Sequence, residues 1–236
     1  MQNVTLKFER DGDYRMNEAF KTLRTNIKFC GNDIKVIAIT SCIPNEGKTS
    51  IAMEMARSFA EEGIKTMLID ADMRKSVLVG RYKTGAVKMG LTHSLIGQEN
   101  FLDVICRSNI PNLYITFAGP VPPNPSELLG SEKFSAILKA LKATFDYVIV
   151  DTPPLGSVID AAVVAGKCDG TVLVVESNTV SYRFARSVKE QLDKAGSKIL
   201  GVVLNKVDMN SKGYYGQKYY GKYYGRYGEE EISDHS

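Results

Sequence analysis

A glycine, a lysine and a threonine stand together at residues 47 to 49, between a run of β-branched residues and a run of helix-forming ones. In the segment IAITSCIPNEGKTSIAMEMA, this order of strand, loop and helix places Gly47, Lys48 and Thr49 where a phosphate-binding loop is expected. The glycine lets the backbone approach a phosphate, and the N–H groups of the loop and of the helix N-terminus stabilise its charge. We therefore expect Lys48 to reach the β- and γ-phosphates of a nucleotide and Thr49 to bind Mg²⁺.

This loop differs from the usual GxxxxGK[ST] pattern at its first position, where Cys42 replaces the glycine. Three matching letters alone are weak, but the strand before them and the helix after them make a chance match much less frequent. The residues expected to bind the nucleotide in this loop are Pro44, Asn45, Glu46, Gly47, Lys48, Thr49 and Ser50.

Three aspartates follow two other predicted strands. TMLIDADMR carries Asp70 and Asp72 with Arg74 beyond them, and YVIVDTPP carries Asp151. Because ligands lie at the carboxyl ends of the strands in a parallel sheet, these carboxylates should converge near Lys48. One carboxylate at a strand end is often a loop-capping residue, whereas three around a phosphate-binding loop favour Mg²⁺ binding and a general base. The pattern predicts an ATP or GTP site.

The nucleotide base is left open by the residues themselves. LNKVD at 204–208 resembles the N-K-x-D guanine reader of GTPases, which would assign Asp208 to the guanine edge. The same segment is also consistent with Asn205 contacting adenine, or with a buried strand end followed by a polar turn.

A parallel sheet is needed to bring these residues together, and the apolar pattern predicts one. Short runs rich in β-branched residues alternate with segments of helical length. Because the runs are apolar throughout, they indicate strands covered on both faces and joined by right-handed crossovers. The predicted fold class is α/β, with a doubly wound and mostly parallel sheet. The predicted strands are 35–40, 66–70, 112–116, 146–150, 171–175 and 198–204, and the predicted helices are 17–29, 48–62, 125–143, 157–166 and 179–195.

Composition disfavours several classes of protein. The chain has 236 residues, 44% hydrophobic and 24% charged, which is enough for one sizeable core. A net charge of +3 without a Lys/Arg stripe gives no reason to expect nucleic acid as a partner. The four cysteines lie far apart without metal-ligand spacing, and the apolar runs are far shorter than the ~20 residues that span a bilayer. We expect a cytoplasmic protein with reduced thiols.

The end of the chain has a different composition. GYYGQKYYGKYYGRYGEEE at 213–231 is rich in Gly, Tyr and Lys, and no Leu, Val or Phe follows Asp208. Such a segment lacks the aliphatic residues of a core, so 209–236 is predicted to be a flexible tail. The predicted organisation is an N-terminal segment at 1–34, a P-loop domain at 35–208 and this tail. Its clustered tyrosines are Tyr214, Tyr215, Tyr219, Tyr220, Tyr223, Tyr224 and Tyr227.

Taken together, five motifs resemble those of the bacterial tyrosine kinases of capsular and exopolysaccharide synthesis. They are SCIPNEGKTS, MLIDADMR, VIVDTPP, FAGPVPPNPSELL and KILGVVLNKVD. The resemblance implies a P-loop NTPase of the deviant Walker A group, in which ATP rather than GTP is the phosphoryl donor. It also implies that the protein phosphorylates the tyrosines of its own tail in trans and regulates polysaccharide synthesis.

The family's site residues carry over to matching positions of this chain. By resemblance, Lys48 holds the β- and γ-phosphates, while Thr49 and Asp151 organise Mg²⁺. Asp70 is the position that activates the tyrosine hydroxyl, Asp72 lies close to the metal, and Arg74 completes the motif. The expected catalytic residues are therefore Asp70, Lys48, Asp72 and Arg74. The resemblance also favours Asn205 as an adenine contact. A carboxylate beside the phenol is chemically reasonable, because tyrosine with a pKa near ~10 is protonated at neutral pH.

Two positions depart from the family pattern. Where the family loop usually reads P-G-E-G-K, this chain has Asn45 as the second residue, and asparagine tolerates positive φ. After Arg74 the family often has Lys-Pro, whereas Lys75 is followed here by Ser76. Neither change alters a side chain expected on phosphate, so we expect ATP binding to be kept.

A charged stripe lies on the helix that precedes the first of these predicted strands. Glu18, Lys21 and Arg24 are spaced by three in RMNEAFKTLRTNIKF, which places them on one face of a helix capped near Asn17. For an arbitrary helix this is a solvated face, but in the family a Glu-x-x-Arg-x-x-Arg motif joins subunits into a ring. Because Lys21 replaces the middle arginine and loses its planar fork, we expect a weaker ring.

Partners are implied by the resemblance alone. A kinase domain of this kind resembles the split arrangement of Gram-positive bacteria, in which a membrane-anchored activator supplies a cytoplasmic segment. The kinase is then recruited to the inner face of the plasma membrane, acts on protein tyrosines and is opposed by a tyrosine phosphatase.

Two other functions fit a deviant P-loop. A partitioning or septum-site ATPase carries a second lysine early in the loop, as in K-G-G-x-G-K-T, and this chain has no lysine between Ser41 and Gly47. A regulatory module that binds nucleotide without turnover is the other alternative.

Overall fold

The architecture is given by a computed structural model that describes residues 2–8 and 14–208. The chain divides into a compact unit of Met1–Asn205 and a second unit of Lys206–Ser236. All strands and helices below belong to the first unit. The tail tyrosines predicted as phosphorylation sites, from Tyr214 to Tyr227, lie outside the described residues.

Eight strands of the described chain form one mostly parallel sheet, as the apolar runs predicted. Its spatial order is β1-β4-β5-β3-β6-β2-β7-β8, and every neighbouring pair is parallel except β4 and β5. The strands are β1 (Gln2–Val4), β2 (Val36–Ser41), β3 (Thr66–Asp70), β4 (Cys106–Ser108), β5 (Leu113–Thr116), β6 (Tyr147–Asp151), β7 (Gly170–Glu176) and β8 (Ile199–Asn205).

Helices cover both faces of this sheet, as expected for a doubly wound fold. They are α1 (Tyr14–Phe29), α2 (Lys48–Glu61), α3 (Leu78–Arg81), α4 (Leu91–Leu95), α5 (Phe101–Val104), α6 (Pro125–Gly130), α7 (Glu132–Thr144), α8 (Asp160–Ala165) and α9 (Tyr182–Lys194). One buried cluster packs α1 and α2 against one face, and another packs α7, α8 and α9 against the other. β2 is buried along its whole length, which explains its continuous apolar sequence.

Three helix predictions need correction. α1 begins at Tyr14, so Asn17 lies inside the helix rather than at its cap, because no Gly or Pro interrupts the first turn. The helix predicted over 125–143 is two helices. Gly130 ends the first, and Ser131 caps the second by accepting a hydrogen bond from the Phe134 N–H at 3.2 Å. The helix predicted over 157–166 is shorter and occupies Asp160–Ala165.

The elements missed from the sequence are the short ones. β1 and β4 have three residues each, and α3, α4 and α5 have four or five, so an apolar period cannot develop in them. Within 2–8 and 14–208, no helix has both the length and the apolar composition to span a bilayer.

Candidate active site

The phosphate-binding loop connects β2 to α2, and two of its residues have left-handed backbone. Asn45 has φ of 69° and Gly47 has φ of 94°. Asparagine adopts this conformation more readily than other residues with a Cβ, so Asn45 keeps the loop in the shape that a glycine would give it. The departure from P-G-E-G-K at Asn45 is therefore compatible with the loop, as the sequence predicted.

Glu46 is a brace inside the loop. Its side chain is buried, with 0% exposure, and its two carboxylate oxygens accept hydrogen bonds from different elements. Oε2 accepts from the Ile43 N–H at 2.8 Å, and Oε1 accepts from the Glu176 N–H at the end of β7 at 3.0 Å. Glu46 was predicted among the nucleotide-binding residues, which stays a prediction, and its side chain fixes the loop against β7.

Asn205 holds the same loop from the end of β8. Its Nδ2 donates to the Glu46 carbonyl at 2.8 Å, and a Cβ added to Gly47 would lie 2.2 Å from that nitrogen. Only glycine fits between the helix start and this amide. The predicted contact of Asn205 with adenine stays a prediction, and in the structure its Nδ2 binds the loop backbone. The other residue considered for base recognition, Asp208, belongs to the second unit.

The start of the phosphate-binding loop packs closely against the loop after β6, and the glycine that allows this contact, Gly156, is not part of the motif. The Gly156 N–H donates to the Cys42 carbonyl at 3.1 Å, and a Cβ on Gly156 would lie 2.2 Å from that oxygen. Cys42 itself is fully buried, and this burial raises the pKa of its thiol to about 12. Cys42 is thus an inert packing residue, and the glycine in the loop after β6 lets the two loops meet.

The catalytic carboxylates predicted from the sequence lie at one edge of the sheet. Asp70 ends β3 and Asp151 ends β6, and the two residues are register partners across adjacent parallel strands. Each is 1% exposed. Asp72 is buried two residues further on, in the loop that leaves β3. Because β2 is the next strand beside β6, the phosphate-binding loop starts at the same edge.

Lys48 joins the loop to the second aspartate. Its Nζ lies 3.0 Å from Asp72 Oδ2 and 3.4 Å from the Thr49 hydroxyl oxygen. Asp72 Oδ1 accepts from the Lys75 N–H at 3.0 Å, so both of its oxygens are engaged. The structure therefore brings together three of the residues expected to act on phosphate and metal.

Burial makes the two strand-end carboxylates reluctant to ionise. Burial, and then the nearby Asp151, raise the pKa of Asp70 to about 8. Burial raises the pKa of Asp151 to about 6, although Lys48 and a hydrogen bond with Thr49 act in the opposite direction. A cation bound between these two buried, adjacent carboxylates and a phosphate would stabilise the ionised form of both.

The donor set also fits magnesium. Asp151 Oδ1 is buried and has no hydrogen-bond partner among the residues that the structure describes, and an orphaned carboxylate oxygen of this kind is available to a cation. Within the described part of the chain, no three His, Cys, Asp or Glu side chains converge to form a metal cage. Mg²⁺ typically binds to one or two carboxylates together with phosphate oxygens and water. The open set of Thr49, Asp72 and Asp151 therefore suits Mg²⁺ better than a site enclosed by protein ligands alone.

Arg74, predicted as catalytic, is engaged by an aspartate that the sequence analysis missed. Its Nε lies 2.7 Å from Asp160 Oδ2 and its Nη2 lies 3.0 Å from Oδ1, a bidentate pair with a fully buried carboxylate. The Ser126 hydroxyl donates to the same Oδ1 and accepts from Arg74 Nη2 at 3.1 Å. Arg74 thus ties the loop after β3 to α6 and α8.

Ser76 is the second site residue that the sequence analysis missed. Its hydroxyl donates to Asp70 Oδ2, while the Asp72 N–H donates to Asp70 Oδ1 at 3.3 Å. The available signal was the serine in place of the family's proline, but a sequence does not show which side chain it will contact.

The predicted interface residues lie on α1, and their contacts are within the chain. Lys21 Nζ pairs with Glu18 at 2.7 Å. Arg24 reaches α2, where its Nη1 donates to the Ser58 carbonyl at 2.7 Å and its Nε lies 2.9 Å from Glu62 Oε2. Glu62 also pairs with Lys28 at 2.6 Å.

Comparison with known proteins agrees with this geometry. A family described as an AAA domain matches residues 34–200, which includes the loop and all three aspartates. Tyrosine-protein kinase CpsD of Streptococcus agalactiae is 44% identical over 92% of this chain and 92% of its own length. Tyrosine-protein kinase CpsD of Streptococcus pneumoniae is 44% identical over 89% of this chain and 92% of its own length.

Solved structures show the same similarity. The chimerical protein CapA2B2 has a TM-score of 0.79 and 31% identity, covering 88% of this chain and 94% of its own. The kinase domain of the Escherichia coli tyrosine kinase ETK also has a TM-score of 0.79, with 28% identity over 89% of this chain and 91% of its own.

The septum-site alternative has a weaker match. The septum-determining protein MinD of Pyrococcus horikoshii, complexed with Mg-ADP, has a TM-score of 0.63 and 25% identity over 72% of this chain and 70% of its own. Kinase relatives therefore match more of the chain, and at higher identity, than the septum-site protein does. The motifs, the fold and the relatives agree that the chain belongs to the bacterial tyrosine-protein kinases, with an AAA domain at residues 34–200.

Proposed function

We propose that this protein transfers the γ-phosphoryl group of ATP to tyrosine in an Mg²⁺-dependent reaction, and that its first substrates are the tail tyrosines of a neighbouring copy. The observation that carries the proposal is the buried Asp70 carboxylate at the end of β3, beside Asp151 and close to the loop of Lys48. That arrangement supplies an acceptor for a phenol proton next to groups suited to triphosphate and metal.

Nucleotide binding in this proposal begins with the loop of β2 and α2. The N-terminus of α2 and the loop N–H groups bind the phosphates, and Lys48 exchanges its contact with Asp72 for the β- and γ-phosphates. Glu46 and Asn205 keep the loop in this shape from behind. Thr49, Asp72 and Asp151 are the ligands proposed for Mg²⁺, which when bound neutralises charge on the phosphates.

The chemical step needs one proton acceptor and one electrophile. The tyrosine O–H gives its proton to Asp70 as the phenolic oxygen forms a bond to the γ-phosphorus. The bond between that phosphorus and the β–γ bridging oxygen breaks, and ADP leaves with the electron pair. Asp70 acts in its ionised form, which a cation bound beside Asp151 would favour, and a carboxylate with a raised pKa is then a stronger base than an exposed one. Arg74 supports this step indirectly, by fixing the loop that carries Asp72.

Tail phosphorylation has an electrostatic consequence in this proposal. Each phosphotyrosine adds about −1.5 to −2 charge at neutral pH. Lys212, Lys218, Lys222 and Arg226 lie among the tail tyrosines, so several modifications convert a basic segment into an acidic one. We expect the modified tail to leave the acidic site and the ring to loosen.

Similarity to the kinase relatives supports a proposal for assembly and location. We propose a ring-like homo-oligomer formed through Glu18, Lys21 and Arg24, activated by the cytoplasmic segment of a membrane-anchored partner and recruited by it to the inner face of the plasma membrane. The output is control of capsular or extracellular polysaccharide synthesis, with further protein tyrosines as substrates and a tyrosine phosphatase as the opposing enzyme. Support for this proposal comes from the similarity to the chimerical protein CapA2B2, which covers 88% of this chain.

The test is a phosphosite map. The full chain is incubated with ATP, Mg²⁺ and the activating segment, and phosphotyrosine is located by mass spectrometry. We expect phosphate on residues 214 to 227, none in Lys48→Met, and a large loss of rate in Asp70→Asn. A protein that binds ATP but leaves these tyrosines unmodified is not the proposed autokinase.

The same assay separates the alternatives. A partitioning or septum-site ATPase hydrolyses ATP in response to DNA or membrane and forms no phosphotyrosine. A regulatory module binds nucleotide without turnover in any of these conditions. Phosphorylation that survives Lys48→Met places the active site elsewhere.

A further inference from the structure

We propose that Ser76 is a positioning residue for phosphoryl transfer, because its hydroxyl fixes the orientation of the Asp70 carboxylate. The inference rests on the proposed role of Asp70 as the proton acceptor. It adds a residue that the motif pattern does not identify and a reason why this chain has serine after Lys75.

Within the described part of the chain, two hydrogen bonds reach the Asp70 carboxylate, and their donors differ in kind. The Asp72 N–H donates to Oδ1 at 3.3 Å, which is long for an N–H donor. The Ser76 hydroxyl donates to Oδ2. Hydrogen bonds from hydroxyl groups to carboxylates are short and strong, so Ser76 supplies the main restraint on the second oxygen.

A restraint matters here because the Asp70 carboxylate can otherwise rotate. The χ2 torsion of aspartate has a broad energy minimum, so the side chain of Asp70 rotates unless something holds it. Its buried neighbours Asp151 and Asp72 are also carboxylates, and like charges favour rotation away from a shared site. The Ser76 hydroxyl opposes that rotation from the loop side.

The contact with Ser76 leaves the Asp70 carboxylate able to accept a hydrogen bond from a second donor. A carboxylate oxygen has two lone pairs, and Ser76 uses one of those on Oδ2. A phenol can therefore approach either oxygen while the serine stays in place. Misplacing a reacting group by about 1 Å can cost on the order of a hundredfold in rate, so orientation is a sufficient role for this hydroxyl.

Packing gives no competing reason for the residue. Ser76 is exposed in the loop between β3 and α3, so truncation to alanine opens no buried cavity. In the family pattern this place is often proline, which has no hydroxyl. Proline could not make this hydrogen bond, and the serine hydroxyl can be removed without disturbing the core.

The experiment compares four single variants of the full chain. Ser76→Ala removes the hydroxyl, Ser76→Thr keeps it, and Ser76→Val has the shape of threonine without it. Ser187→Ala on α9 is the control for a remote, half-buried serine, whose hydroxyl donates to the Phe184 carbonyl. The rate is measured on a synthetic peptide of residues 213–228, together with the Kd for ATP and the Tm.

We expect Ser76→Ala and Ser76→Val to lose roughly 10- to 100-fold in kcat, as for a hydrogen bond to a charged group, with the Kd for ATP changed by less than about twofold. Ser76→Thr should recover most of the rate, and all variants should keep the Tm within a few degrees. Equal rates for threonine and valine, an unchanged rate for alanine, or a faster alanine variant would each overturn the proposal.

Failure of this inference is distinguishable from failure of the proposed function. If Asp70→Asn is inactive and Ser76→Ala is normal, only the positioning role is wrong. If Asp70→Asn keeps the wild-type rate, Asp70 is not the proton acceptor and both are wrong. A crystal structure of Ser76→Ala gives a readout without turnover, since an Asp70 carboxylate in its wild-type orientation would contradict the restraint.

Discussion

Asp70 and Asp151 are register partners at the ends of neighbouring parallel strands, and both carboxylates are buried. The pair has an unfavourable electrostatic environment, because burial opposes the ionisation of both carboxyl groups and the charge of Asp151 further raises the pKa of Asp70. A site built this way binds a cation and phosphate at the expense of the stability of the free protein.

The first prediction is that Asp151→Asn raises the Tm of the protein in EDTA at pH 8. A folded pKa raised from about 3.8 means that the folded state holds a proton that the unfolded state has lost. Stability is therefore lost as pH rises through the folded pKa, about 6 for Asp151 and about 8 for Asp70. We expect a gain of about 2 to 6 °C at pH 8 that shrinks towards pH 5.

Thermal unfolding between pH 5 and 9 measures this effect. Asp193→Asn is the matched control, because Asp193 forms an exposed pair with Lys189 and should change the Tm little at any pH. Addition of Mg²⁺ and ATP should stabilise the wild-type protein more than Asp151→Asn. A lower Tm at pH 8, or a gain that is the same at every pH, would contradict the assigned environment.

The second prediction concerns the brace of the phosphate-binding loop. Glu46→Ala leaves two N–H groups, of Ile43 and Glu176, without their acceptor. We expect the free energy of unfolding to fall by about 2 to 4 kcal/mol in urea denaturation. Glu190→Gln, which alters an exposed helix pair with Arg186, should change it by less than about 0.5 kcal/mol.

A second readout separates fold from binding in this experiment. Glu46→Gln keeps one carbonyl acceptor, so its cost should lie between those of wild type and alanine, and its affinity for ATP should fall less. If Glu46→Ala binds ATP with wild-type affinity, the brace does not shape the loop.

Much of this site could be predicted because the chemistry follows the carboxyl ends of parallel strands. Lys48, Asp70, Asp72 and Asp151 were placed together from their position after apolar runs. The adjacency of Asp70 and Asp151 could not be predicted, because β3 and β6 are neighbours in the sheet although β4 and β5 intervene in the sequence.

Contacts between residues far apart in the sequence could not be predicted either, because they depend on how the elements pack. Arg74 and Asp160 are 86 positions apart, and their pairing depends on how α8 meets the loop after β3. The contact of the Asn205 Nδ2 with the Glu46 carbonyl likewise joins residues far apart in the sequence, and the motif gave no sign of it. Motif spacing identifies which groups can do chemistry, and it does not say which of them hold the others in place.

The third prediction concerns Asn45. With φ of 69°, this position accepts glycine without strain, and alanine costs about 1 kcal/mol because its Cβ disfavours left-handed backbone. Asn45→Gly should therefore keep the affinity for ATP, while Asn45→Ala should weaken it several-fold. Isothermal titration measures both, and equal affinity of the alanine variant would show that the loop does not need this conformation to bind nucleotide.

The fourth prediction is that Arg74 and Asp160 act as one unit. Burial raises the pKa of Asp160, but hydrogen bonds from Arg74 and Ser126 outweigh it and lower that pKa below its ordinary value. Arg74→Ala leaves a buried carboxylate without its partner. It should lower the free energy of unfolding by about 1 to 2 kcal/mol, a figure reduced because the arginine is partly exposed. We expect Arg74→Ala and Asp160→Asn each to lower the rate of phosphorylation.

A double variant tests this coupling. If the pair acts as a unit, Arg74→Ala combined with Asp160→Asn should lose less rate than the product of the two single losses. Multiplicative losses would indicate that Arg74 acts on the reacting groups directly, as the motif analysis proposed.

The fifth prediction concerns assembly through α1. Lys21 is paired with Glu18 on its own helix, and a lysine has a single charged nitrogen to share between that partner and a neighbouring subunit. An arginine presents a planar fork with several donors, so Lys21→Arg can keep Glu18 and bind a second carboxylate. We expect half-assembly at a concentration roughly two- to tenfold lower, measured by sedimentation velocity. Lys189→Arg on α9 controls for the general effect of arginine, because Lys189 forms a similar pair with Asp193. If both variants assemble alike, or if Lys21→Arg assembles no better than wild type, the α1 stripe does not form the subunit contact.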